Sequence, residues 1–168
     1  MQIKDKANIS INGRIIFLVG SVIIIIAPFL TYITVLFNLE RGGIELPYNM
    51  WGASSVSEAN SFDMGPFAAM IMVIGIIGVL IAIIEIKTKK DFNVIVNGVI
   101  PVAAILMLIL FEVIALADFK EGIRREGNDM LNVSRGIGLY MLIVGIVICV
   151  LSLLIMIKKT DDNTSAQT

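Results

Sequence analysis

One stretch constrains this 168-residue chain more than any other: Phe67-Ala-Ala-Met-Ile-Met-Val-Ile-Gly-Ile-Ile-Gly-Val-Leu-Ile-Ala-Ile-Ile-Glu-Ile86, followed at once by Lys87-Thr-Lys-Lys90. About twenty apolar residues, at about 1.5 Å per helical residue, match the roughly 30 Å of hydrocarbon in a bilayer. The lysines behind the run mark the end expected to stay in the cytoplasm. Three other runs share its character, and the sequence predicts an all-α membrane protein. The expected fold is a four-transmembrane-helix bundle forming a single membrane domain over 1–168.

The expected order is a cytoplasmic amino-terminal segment 1–13, a first span 14–38, an outer segment 39–63 and a second span 64–86. A cytoplasmic loop 87–93, a third span 94–117, an outer loop 118–135, a fourth span 136–157 and a disordered cytoplasmic tail 158–168 complete it. The basic start and apolar run resemble the front of a signal peptide. The apolar character, however, persists from Ile15 through Phe37, too long for such a segment, and no small-x-small pattern follows. An uncleaved first span is expected.

Composition agrees and narrows the function. Hydrophobic residues make up 57% of the chain and the mean hydropathy is +0.92, too apolar for a water-soluble surface. A net charge of −1 without a basic patch argues against a nucleic-acid partner. The chain has no histidine and one cysteine, Cys149. Imidazole-based nucleophile pairs, HExxH zinc sites, disulfides and multi-cysteine metal sites are therefore not to be expected. No catalytic, cofactor or metal residues are nominated.

Within the first span Pro28 should end or kink the helical ladder, because it lacks an amide donor. The β-branched and aromatic run Tyr32-Ile-Thr-Val-Leu-Phe-Asn-Leu39, followed by Glu40-Arg-Gly-Gly43, reads as a small β-hairpin or sheet after the first helix; an irregular polar loop is the alternative. Tyr48 and Trp51 suit either the headgroup level or internal packing on one reading, and a recognition surface on the other.

Small residues recur at seven-residue intervals in two spans. Ala68, Gly75 and Ala82, with Gly78 on the same face, form one stripe, and Gly138, Gly145 and Ser152 form the other. Stripes of this kind let helix backbones approach closely where water supplies no driving force. They are read as helix-packing seams; a dimerisation surface is the alternative. Asn97 and Pro101 suggest a local kink with an amide partner. Glu112 is the sharpest polar candidate, since an acid inside a span is costly and a functional candidate by default. Its place near the outer end also allows solvation, or pairing with Arg41 or Lys120. Glu85, beside the lysines, reads as interfacial.

Topology follows from the basic residues: the amino terminus together with Arg14 at its membrane edge, the middle loop and the tail hold three, three and two Lys or Arg, against one and four in the outer segments. Eight against five puts both termini inside, in a multi-pass plasma-membrane protein. The four-helix layout over residues 14–157 resembles the claudin-type tetraspan plan, although the two claudin cysteines are absent and Trp51-Gly52 alone echoes its outer-segment motif. Ala27-Pro28-Phe29-Leu30-Thr31-Tyr32 and Gly136-Ile137-Gly138-Leu139-Tyr140 are similar to stretches that end the first helix and open the last in small, uncharacterised bacterial four-span proteins. That resemblance implies a fold and no activity.

The function expected is that of a non-enzymatic integral membrane protein acting through protein–protein contact, as an accessory, envelope or immunity-type component. The bilayer is one partner, and a membrane or extracellular protein, which includes a second copy, is the other. The alternative is a small oligomeric transporter or channel, for which the spans offer a scattered polar set: Ser21, Thr31, Thr34, Asn97, Glu112 and Ser152.

Overall fold

The computed structural model describes residues 2–39, 42–54, 65–88, 94–115, 117, 121 and 131–164. Four long helices, α1 (Gln2–Ile26), α2 (Gly65–Thr88), α3 (Val94–Leu110) and α4 (Ile137–Thr164), combine with three strands, β1 (Thr31–Leu39), β2 (Gly42–Asn49) and β3 (Leu131–Arg135). The windows Asn12–Phe29, Gly65–Thr88, Ile95–Ile114 and Ile137–Ile157 are each long and apolar enough to cross a membrane. The chain is thus a multi-pass membrane protein, and large apolar side chains such as Val73, Leu80, Val102, Leu106 and Leu154 cover the outside of its bundle.

The span limits differ from the sequence reading in three places. The first span does not continue to residue 38: α1 passes into a 3₁₀ turn at Ala27–Phe29 and β1 begins at Thr31. Pro28 has no amide to donate, and the β-branched run behind it prefers an extended chain. The third span continues through Pro101 to Leu110 and then widens into a π-helical turn, Phe111–Ala115. At the other end, α4 carries on to Thr164, so residues 158–164 of the expected disordered tail are helical. The stretch around Glu121 and Arg125, with helical i,i+4 spacing, lies largely outside the described residues, as does all of 55–64.

Both small-residue stripes close on α1, which packs most extensively of the four helices. Ala68, Gly75, Gly78 and Ala82 are buried along α2. A Cβ added to Gly75 would meet the Ser21 carbonyl oxygen at 3.1 Å and the Ile25 amide nitrogen at 3.2 Å, both on α1. Gly138, Gly145 and Ser152 line the facing side of α4, and Ser152 Oγ donates to the Gly13 carbonyl oxygen at 2.7 Å. The helices α1 and α4 are thus in backbone contact, as small residues permit.

The sheet stands on that helix pair. Its order is β2-β1-β3, antiparallel throughout. Only Leu30 separates the 3₁₀ turn from β1, and only Gly136 separates β3 from α4, so the two paired strands extend two paired helices. The hairpin β1–β2 fits the sequence reading; β3, within the expected outer loop, was not foreseen. Beyond β2 the chain folds back in a tight turn. The side-chain oxygen of Asn49 accepts from the amides of Trp51 and Ala53, each at 3.0 Å. Gly52 takes φ 78°, a conformation that suits a residue without Cβ.

Candidate functional site

Two local irregularities meet at the sheet end of the bundle. The β1–β2 register slips between Thr31 and Ile33, leaving Tyr32 as the extra residue of a β-bulge. Bulges re-aim a side chain, and here Tyr32 and Ile33, neighbours that a regular strand would point to opposite faces, are both fully buried. On α3 the π-helical turn carries Glu112, and such turns occur often at functional sites.

The two irregular elements are joined by one carboxylate. Tyr32 Oη donates to Glu112 Oε1 at 3.2 Å, and Arg135 Nη2, from the last residue of β3, forms an ion pair with Glu112 Oε2. Beneath this clasp Phe111 stands edge-on to Tyr32, ring centroids 4.8 Å apart, and edge-on to Phe67 at 5.8 Å. Burial, reinforced by the neighbouring Glu112 carboxylate, holds the Tyr32 phenol well above its ordinary range, with Arg135 opposing the shift. Tyr32 therefore remains a hydrogen-bond donor to Glu112 throughout neutral and moderately alkaline pH. The Glu112 and Arg135 side chains keep 25% and 33% of their surface exposed, so the pair faces partly outward.

Arg135 is the partner the structure gives Glu112; Arg41 and Lys120, the partners expected from the sequence, lie outside the described residues. A signal for Arg135 was present in the sequence. It directly precedes Gly136-Ile137-Gly138, and Tyr32 ends the stretch Ala27–Tyr32. These two stretches touch: the Gly136 amide donates to the Tyr32 carbonyl oxygen at 2.7 Å, and a Cβ on Gly138 would lie 2.9 Å from the Ala27 carbonyl oxygen.

Tyr48 and Trp51 sit elsewhere. Tyr48 is only 3% exposed and belongs to the apolar core; burial raises its phenol pKa above the usual value. Of the readings open for Tyr48, the headgroup level, internal packing or a recognition surface, this burial fits internal packing. Trp51 is half-buried, its ring 5.7 Å from that of Phe29, and the adjacent Met50 amide donates to the Pro28 carbonyl oxygen at 3.1 Å. It clamps the β2 turn onto the end of the first span.

A second polar cluster occupies the opposite end of the bundle. Glu85, read as interfacial, is 1% exposed, and Arg14 is 3% exposed. Arg14 Nη1 donates to the Glu85 carbonyl oxygen at 2.9 Å, and Asn97 Nδ2 donates to Glu85 Oε1 at 2.9 Å. The same Asn97 nitrogen lies 3.7 Å from Met156 Sδ. Each helix supplies one member. Burial of Glu85 follows from the stripe itself, which it extends by seven residues from Gly78. The Asn97 amide, expected to serve a kink at Pro101, donates to a carboxylate.

Among the described residues no group of three or more His, Cys, Asp or Glu side chains is placed to hold a metal ion. No family model matches the chain, and no curated protein matches it in sequence.

Proposed function

We propose that this protein is a non-enzymatic plasma-membrane component that acts by protein contact through its sheet, with the sheet outside and both termini in the cytoplasm. The observation that carries this reading is the mounting of the sheet: β1 follows α1 through the 3₁₀ turn and Leu30, β3 runs into α4 through Gly136 alone, and the Glu112–Arg135 pair ties the sheet to a third helix. A platform held at three points presents a fixed surface, which lowers the ordering cost of binding a partner. Its outward positions include Glu45, Ser134 and the partly exposed Arg135. The lysine-rich loop at 87–90 supports the orientation.

The accessory, envelope and immunity-type roles share this surface. A photo-reactive side chain placed at Glu45 or Ser134 in native membranes should give a discrete adduct that the same group at Leu106, on the lipid side, does not. Identical products from all three positions would overturn the reading. Orientation is tested separately: a cysteine introduced at Glu45 should react with an impermeant thiol reagent in intact cells, and one at Lys87 should not.

A further inference from the structure

We propose that α3 is a strut pinned at both ends, through which the cluster at the terminal end of the bundle is mechanically coupled to the sheet. The coupling goes beyond the contact function, because it holds whether or not the sheet engages a partner. The bundle has one stiff half: α1 and α4 approach through their backbones and are joined to the paired strands β1 and β3 by short connections, the 3₁₀ turn with Leu30 and Gly136. The helix α3 packs less extensively. A lateral apolar groove of about 560 Å³, lined by residues that include Met70, Val73, Ala103 and Leu106, opens between α3 and α2. A Cβ on Gly98 would meet nothing within 4 Å.

The polar side-chain ties described for α3 lie at its extremities. At one end Asn97 is held by Glu85 of α2 and lies against Met156 of α4. At the other, Glu112 is held by Tyr32 of β1 and Arg135 of β3. Fifteen residues separate the pins, about 22 Å at helical rise. Slack packing between two fixed ends lets a helix shift as a unit, and the π-helical turn at Phe111–Ala115 is where such a shift would reach the sheet. Coupling of this kind needs one element whose position both ends bias, and α3 is that element.

Independent sites this far apart are expected to act additively, to within a factor of about two. The test is therefore a mutant cycle on the full chain in phosphatidylcholine–phosphatidylglycerol nanodiscs, read as amide hydrogen exchange in peptides covering β1 and β3. Glu112→Gln should speed exchange there several-fold. Asn97→Ala should also speed it in the wild-type background, and should add nothing once Glu112→Gln has opened the clasp. Equal effects of Asn97→Ala in both backgrounds, or no effect on the sheet in either, would overturn the proposal. Where Asn97→Ala does not fold, Glu85→Gln takes its place in the cycle with the same two readings.

Discussion

Gly20 of α1 and Gly145 of α4 face each other across a backbone contact: a Cβ on Gly20 would lie 2.9 Å from the Gly145 carbonyl oxygen, and one on Gly145 would lie 3.0 Å from the Gly20 oxygen. Neither side can gain a methyl group without separating two helices. Gly145→Leu should therefore destabilise the protein by about 1–3 kcal/mol or more, the range for overpacking. Gly98→Ala, where a Cβ meets open space, should stabilise it by roughly 0.5–1 kcal/mol through helix propensity. Thermal unfolding in detergent, followed by circular dichroism, measures both.

The second stripe makes a related prediction with a graded outcome. At Gly75 the nearest obstacle to a Cβ is Cγ1 of Ile25, at 2.7 Å, with backbone atoms beyond 3.0 Å. Gly75→Ala should cost more than Gly145→Ala, because Cγ1 sits next to the branch of a stiff side chain and has to shift, whereas the contacts at Gly145 begin at 3.0 Å. Equal losses at the two positions in the same unfolding assay would contradict this ranking.

The two acids should differ sharply. Glu85 is 1% exposed and bonded to Asn97, so Glu85→Ala leaves buried polar partners behind and should cost about 3–5 kcal/mol. The Glu112 ion pair is partly solvated, and Glu112→Gln should cost only about 0–1 kcal/mol of global stability. Denaturant titrations compare them directly. A larger loss at Glu112 than at Glu85 would reverse the ranking of the two clusters.

Tyr32 supplies a pH dependence. Its folded-state pKa lies above the unfolded value because burial and the Glu112 carboxylate disfavour the phenolate. The stability it contributes is therefore fully present below about pH 10, the ordinary tyrosine value, and is lost as pH rises beyond it. Tyr32→Phe removes this dependence, so the variant should lose less stability between pH 9 and 11 than the wild type. Chemical unfolding across that interval checks the slope.

Much of the helical architecture was legible because membrane spans are written in length and hydropathy, and small-residue stripes are written in spacing. Ala68, Gly75, Gly78 and Ala82 could be placed on one buried face of α2 from their intervals. What the sequence does not print is the helix that receives them. Gly20 belongs to no repeat, so its contact with Gly145 emerges only from the fold. Glu85 was misjudged because nearby lysines suggested water, although its spacing from Gly78 put it on the buried face. The Glu112–Arg135 pair joins residues 23 apart through a π-helical turn and a short strand, and neither irregularity has a spacing signature. Tyr48 sits in the core through strand register.

The pairing Ile33↔Arg135 has a consequence for biogenesis. The hairpin β1–β2 is complete once Asn49 has been synthesised, but its free edge must wait for some eighty more residues before β3 arrives with the last helix. Until α4 is in place, β1 offers its open hydrogen-bonding edge to any extended chain. Closure of that edge thus reports that all four described spans have been inserted, and a chain stalled before α4 is exposed to mispairing at the membrane surface.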